Sequence, residues 1–209
     1  NIEGYSAVLY NNMDGLPTSE ANALATTSDG FLWIGSYGGL IRYDGNTFER
    51  FDSTSGIASV VSLFTDSLEQ LWIGTNDHGA AVMDRYGHIQ MFRKADGLPS
   101  DSIRSFTEDS NGNVYIATTE GIVYVDRDFN ITVIDDPTIK KYIRQIETGA
   151  DGIVYGLTQD GDVFTLSDGV VTAFHSKKDL GFEDMNIRAL HVDKDNPGFL
   201  YLGNDRTKV

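Results

Sequence analysis

One phrase is rebuilt along this chain at near-constant spacing. Gly30-Phe31-Leu32-Trp33-Ile34-Gly35 returns as Gln70-Leu71-Trp72-Ile73-Gly74, Asn113-Val114-Tyr115-Ile116-Ala117, Gly152-Ile153-Val154-Tyr155-Gly156 and Phe199-Leu200-Tyr201-Leu202-Gly203. The central aromatics Trp33, Trp72, Tyr115, Tyr155 and Tyr201 lie 39, 43, 40 and 46 residues apart, a period that belongs to stacked repeats. Each copy is a short, unbroken apolar run rich in aromatic and β-branched residues. It is too brief for a helix and is bounded by small or polar residues, so it reads as a strand buried on both faces. Such a strand needs a sheet on either side of its own.

The first complete unit sets the template. Residues 21–27 read as an inner strand, Ser28-Asp29-Gly30 as a hairpin turn, 31–36 as the aromatic strand, 40–43 as a third strand, Asp44-Gly45-Asn46 as a turn and 47–51 as an outer strand. Asp-Gly between alternating apolar runs is a strong hairpin signal. The same four places are taken by 60–65, 71–75, 80–83 and 88–92, by 103–108, 114–118, 122–125 and 131–134, and by 143–148, 153–158, 163–166 and 170–174. A fifth unit begins with 187–192 and 199–203, and residues 5–10 read as a lone outer strand ahead of the first.

Four-stranded antiparallel units of about 40 residues are the blades of an all-β propeller. Helical repeats of similar period are excluded by the Asp-Gly turns and β-rich runs. The expected domain is a single propeller over 1–209 with repeats at about 18–55, 56–95, 96–137, 138–178 and 179–209, the last truncated. The chain is expected to be an open arc and a fragment of a larger ring. With 22 Gly against 4 Pro, tight turns rather than long helices join the elements.

Composition narrows the partners. A net charge of -15 disfavours nucleic acid and acidic membrane surfaces. Cysteine is absent, which excludes disulfides and thiol chemistry but leaves the compartment open. No apolar stretch reaches the roughly 20 residues that span a bilayer, and nothing at the start resembles a signal peptide, so any targeting segment is expected outside this piece.

The stretch Asp96-Gly97-Leu98-Pro99-Ser100-Asp101-Ser102-Ile103, continuing through Glu108-Asp109-Ser110-Asn111-Gly112 to Val114-Tyr115-Ile116-Ala117-Thr118, resembles the two-component regulator propeller repeat. That pattern runs from a Gly-Leu-Pro loop through an inner strand and Glu-Asp-x-x-Gly to Leu-Trp-Ile-Gly-Thr. Asp14-Gly15-Leu16-Pro17 repeats the loop, and Leu32-Trp33-Ile34-Gly35-Ser36 and Leu71-Trp72-Ile73-Gly74-Thr75 carry the strand best. Tyr replaces Trp in the last three units, and the fourth and fifth lack Gly-Leu-Pro. The resemblance implies a ring of seven blades on the extracytoplasmic side of a bacterial membrane, periplasmic or at the cell surface. It implies a sensor for a small ligand, carbohydrate in several relatives. The partners it implies are the rest of the same signalling protein, with a kinase or cyclase output domain outside this sequence, and a homodimer as one arrangement.

The expected site is the face onto which the loops entering each inner strand and those between second and third strands open, because loops on a rigid scaffold supply binding groups. It carries Tyr37, Asn76, Asp77, His78, Glu120 and Gln159. Aligned on the central aromatic, the residue after the first apolar position of each inner strand is Asn22, Val61, Arg104, Arg144 and Arg188. Three arginines at one register would either hold a carboxylate or sugar acid, or pair with neighbouring Asp and Glu along a watery channel. Tyr37 would stack on a sugar ring or pack between blades.

No cofactor or metal site is expected. The four His are dispersed, and the turns at Asp109–Asn113 and at 193–196 lack the bidentate Glu of a calcium loop. The leading reading is a non-enzymatic binding module. The alternatives are a propeller lyase or glycan-acting enzyme using His78, Glu120 and Asp160, and a protein-interaction platform.

Overall fold

The computed structural model describes residues 6–51 and 56–205. They form five antiparallel sheets in sequence order. Blade 1 holds β1 (Ala23–Thr26), β2 (Leu32–Ser36), β3 (Gly39–Tyr43) and β4 (Phe48–Phe51). Blade 2 holds β5 (Val60–Thr65), β6 (Leu71–Thr75), β7 (Ala80–Met83) and β8 (Ile89–Phe92). Blade 3 holds β9 (Ile103–Glu108), β10 (Val114–Thr118), β11 (Gly121–Val125) and β12 (Ile131–Val133). Blade 4 holds β13 (Ile143–Thr148), β14 (Val154–Thr158), β15 (Val163–Ser167) and β16 (Val170–His175). The fifth sheet pairs β17 (Ile187–Val192) with β18 (Leu200–Asn204). Strand order within each sheet follows the chain without crossover, and the inner strands β1, β5, β9, β13 and β17 lie side by side in turn. This is the propeller architecture.

The apolar runs of blades 2, 3 and 4 bury both faces because each of these blades lies between two others. Trp33, Leu40 and Val60 pack with Leu71, Ile73, Ala81 and Met83 between blades 1 and 2. Trp72 and Phe92 pack with Ile103, Phe106, Val114 and Val125 between blades 2 and 3. Tyr115 meets Ile143, Ile146 and Phe164, and Tyr155 meets Ile187, Leu190 and Val192. The central aromatic of the second strand in blades 1 to 4 therefore faces the following blade. Tyr201 holds the equivalent place in β18 but is 60% exposed, against 1 to 7% for the other four. The expectation of burial fails at Tyr201, since no following sheet among the described residues covers it.

Polar groups join the blades as well. Gln145 donates from Nε2 to the Leu190 carbonyl at 2.7 Å and accepts the Leu190 N–H at 2.9 Å. Thr107 and Thr148 hydroxyls meet at 2.8 Å, and Glu108 accepts both the N–H and the hydroxyl of Ser67.

Most hairpin turns differ in detail from the two-residue form that Asp-Gly suggests. Thr27 N–H reaches the Phe31 carbonyl, Asp66 the Gln70 carbonyl and Asp109 the Asn113 carbonyl, each across three residues. The third of those residues is left-handed: Gly30 at φ 90, Glu69 at φ 60 and Gly112 at φ 81. The opening Asp satisfies the turn, so Asp109 accepts Asn111 N–H and Asn113 N–H at 2.9 Å, and Asp193 accepts Asp195 N–H and Asn196 N–H. These carboxylates serve the backbone.

Residues 6–10 form no strand, contrary to expectation; Tyr5 lies outside the described residues. Their alternation finds no sheet edge to pair with. Tyr10 instead packs its ring on Tyr43 and Phe48 at 5.6 and 5.4 Å and accepts the Tyr43 hydroxyl at 3.0 Å. Val8 is 68% exposed.

Candidate functional site

The arginine register has a backbone cause. In blades 2, 3, 4 and 5 the pairing between inner and second strand slips once: Val60 faces Thr75 and Ser62 faces Gly74, Ile103 faces Thr118 and Ser105 faces Ala117. Likewise Ile143 faces Thr158 and Gln145 faces Leu157, and Ile187 faces Asn204 and Ala189 faces Gly203. The residue left without a partner is Val61, Arg104, Arg144 and Arg188 in turn. A bulge re-aims the extra side chain out of the pleat. The same device thus turns one side chain per blade out at the start of its inner strand.

Arg104 is the best-organised of the three. Its Nη2 donates to Asn76 Oδ1 at 3.1 Å, its Nε to the Tyr142 hydroxyl at 2.6 Å and its Nη1 to the Ile103 carbonyl at 2.8 Å. One guanidinium of blade 3 therefore ties a loop of blade 2 to the loop entering blade 4. No carboxylate pairs with it among the described residues. Arg144 is half-buried and its Nε, shut off from solvent, has no hydrogen-bond partner among the described residues. Arg188 follows the other expectation, donating from Nε to Asp205 at 3.4 Å. Asp205, also bonded by Asn186 Nδ2 at 2.7 Å, has its carboxyl held below the usual range: these bonds outweigh the desolvation that opposes them.

The second loops of blades 1 to 4 are shaped by a buried hydroxyl at the end of the second strand. Ser36 donates to the Gly39 carbonyl, Thr75 to the Gly79 carbonyl at 2.7 Å and Thr118 to the Gly121 carbonyl at 2.9 Å, while Thr158 accepts the Asp162 N–H at 3.0 Å. Thr75 also accepts the His78 N–H, and Thr118 the Glu120 N–H. Gly79 allows this closure: its φ is +81, and a Cβ there would stand 2.2 Å from the Phe92 carbonyl oxygen. Its N–H reaches the Asp101 carbonyl at 2.8 Å.

Of the expected residues, Asn76 and Arg104 are brought together, and Asp77 and His78 contact each other at 2.5 Å between Oδ1 and Nδ1. Tyr37 is 57% exposed rather than packed between blades. The side chains of Glu120 and Gln159 are exposed and make no hydrogen bond among the described residues, and none joins His78 to Glu120 or Asp160. Tyr142 was not singled out from sequence. It precedes its inner strand where Ser59, Ser102 and Asn186 stand in other blades, and that departure was the available signal.

A cleft lies at the opposite end of the blades, between the first two. It measures ≈ 470 Å³ and is lined by the β1–β2 turn, Trp33, Arg42, Phe51, Leu71, Met83 and the β7–β8 turn. Nothing in the repeat phrase announces it.

The fold is that of a β-propeller built from a degenerate repeat, and comparison with known proteins agrees. Residues 15–38 and 97–120 match the two component regulator propeller family, so the chain carries that repeat. A comparison with curated proteins finds no match. Among solved structures, the chain is similar to a streptogramin B lyase, at 17% identity and a TM-score of 0.74 over 90% of this chain and 63% of that one. It is similar to the extracellular domain of a protein of B. thetaiotaomicron named as a hybrid two component system, at 19% identity and a TM-score of 0.73 over 94% of this chain and 29% of that one. Another extracellular domain from B. thetaiotaomicron, named as a one component system, gives 20% identity and a TM-score of 0.71 over 96% and 31%. The chain thus spans less than two thirds of each of these relatives.

Proposed function

We propose that this chain is part of an extracytoplasmic sensor propeller that binds a small anionic ligand, a sugar acid being the class that fits, and passes the signal to an output domain of the same protein. The observation that carries the reading is the bulge register: Arg104 without a carboxylate partner, and beside it in the succession of blades Arg144 with a buried, unpartnered Nε. A buried guanidinium N–H left unsatisfied costs free energy, and the Arg104 and Arg144 charges remain for an incoming oxyanion to meet. In a chain of net charge -15, two neighbouring arginines without a carboxylate partner among the described residues are selective by contrast. The fold similarity to extracellular sensor domains and the repeat match support the signalling context and the compartment.

The test is a thermal-shift screen of uronic acids against the matching neutral sugars, followed by titration. A uronic acid should raise the melting temperature saturably, and Arg104→Ala with Arg144→Ala should weaken it at least about 100-fold, the loss of two charge-assisted contacts. Affinity unchanged in that double variant would overturn the reading. Turnover assays on any binder separate this sensor from a lyase of similar fold.

A further inference from the structure

The cleft between blades 1 and 2 has a counterpart between blades 2 and 3, and there it is filled. The β11–β12 turn of blade 3 closes with Asp126 N–H on the Asn130 carbonyl at 3.1 Å and Phe129 N–H on the Asp126 carbonyl at 3.0 Å. The β7–β8 turn of blade 2 closes identically, Asp84 N–H on the His88 carbonyl and Gly87 N–H on the Asp84 carbonyl, both at 3.0 Å. Position for position, Gly87 stands where Phe129 stands. Both are left-handed, at φ 85 and 64.

Phe129 uses that position to seat its ring on the preceding blade, with its centroid 6.5 Å from Trp72 and 6.0 Å from Phe92. A bulky residue at positive φ is strained, and burial of the ring offsets the strain. In blade 1 the matching pair, Trp33 and Phe51, keeps a similar spacing, 5.4 Å against 5.7 Å, but meets edge-on at 71° where Trp72 and Phe92 stack at 13°. Gly87 supplies no ring. An opening of ≈ 470 Å³ remains there beside the Arg42 guanidinium, which lies 5.9 Å from the Trp33 and Phe51 centroids, and its volume is within the usual size of a small-molecule site.

Electrostatics at the rim select the substituent. Asp29, Glu69 and Asp84 line the opening against Arg42 and Arg85. Arg42 pairs with Glu49 and lies 4.4 Å from the Phe31 ring centroid, and Asp84 is engaged by His88 at 2.9 Å, which leaves Asp29 and Glu69 against Arg85. The unbalanced charge is therefore negative. We propose that this cleft is a second binding site, for a small aromatic amine whose ring takes the seat that Phe129 fills one blade on and whose ammonium meets the acidic rim at Asp29. It is independent of the arginine register, which opens at the other end of the blades.

Calorimetric titration with tyramine and with 4-hydroxyphenylacetate, together with crystals soaked in tyramine, tests this. Tyramine should bind saturably with its ring on Trp33 and Phe51, and the acid at least about tenfold more weakly. Gly87→Phe should fold, without a lower denaturation midpoint, and lose tyramine binding, because the turn of blade 3 already accepts Phe at this φ. Should that variant misfold, Asp29→Asn, at an exposed turn position, must weaken tyramine several-fold. Arg104→Ala with Arg144→Ala should leave tyramine affinity unchanged, so failure at one site is distinguishable from failure at the other. No saturable tyramine binding, undiminished binding to a folded Gly87→Phe, or density away from Trp33 would overturn the proposal.

Discussion

The indole N–H of Trp72 donates to the carboxylate of Asp66 at 2.9 Å, inside the junction of blades 2 and 3 where both residues are buried. The same carboxylate accepts Leu68 N–H and Gln70 N–H and so closes the turn that leads into β6. The motif recurs with other chemistry: Tyr155 donates to Asp151 at 2.8 Å, Tyr201 to Asp193 at 3.1 Å and Trp33 to Thr27 at 3.0 Å. Turn and ring are one unit. Asp66→Ala should leave an indole N–H and two backbone donors without an acceptor and cost about 2 to 4 kcal/mol, read as a lower urea midpoint at unchanged slope.

The position of the aromatic, and not its identity, decides its weight. Trp33→Ala, at 4% exposure, should cost about 3 to 5 kcal/mol. Tyr201→Ala, at 60% exposure, should stay within about 1 kcal/mol in the same denaturation assay.

Gly79→Ala should destabilise the loop carrying His78, since the new Cβ meets the Phe92 carbonyl at 2.2 Å in a left-handed backbone. A loss of about 1 to 3 kcal/mol is expected, with faster amide exchange at Gly79 and Asn76. Gly87→Ala, whose Cβ would meet nothing within 4 Å, should cost less.

Alkaline pH offers a separate check. Burial, then the nearby Asp109 charge, pushes the Tyr115 hydroxyl up to about 12, and burial with the Asp151 bond does the same for Tyr155. A raised folded-state value means the folded protein holds the proton longer than the unfolded chain. Stability is then complete below the ordinary tyrosine value of 10.0 and falls as pH rises toward about 12. Denaturation midpoints across that window should decline, and Tyr115→Phe with Tyr155→Phe should flatten the decline.

At the acid end the sign reverses. Asn130 and its backbone N–H hold Asp126 below the ordinary carboxylate range, and Asn196 does so for Asp193. Their contribution is present above about pH 4 and is lost as pH falls through the depressed values. Midpoints measured below pH 4 should fall less steeply when Asp126 and Asp193 are both Asn.

The strands were legible because their code is local: a buried aromatic run every fortieth residue or so, with Gly or Asp at the turns. The arginine register was legible as spacing, but the bulge that produces it was not. A slip in pairing depends on how Ile103 meets Thr118 across the sheet, and the sequence of either strand alone is silent on that. Tyr201 reads like Tyr155 in sequence and differs only in what stands beside it. The inter-blade cleft escaped notice because its cause is one missing ring. Gly87 looks like an ordinary turn glycine until Phe129 shows what the position can hold.

The one-sided docking of the aromatics gives synthesis a direction. Trp33 is finished by Leu71 and Met83, and Trp72 by Ile103 and Val114, all farther along the chain. A blade emerging from the ribosome therefore keeps its largest apolar surface wet until the next has followed it out of the exit tunnel. The nascent protein always trails one unfinished face, and a pause in translation there would leave it available to chaperones.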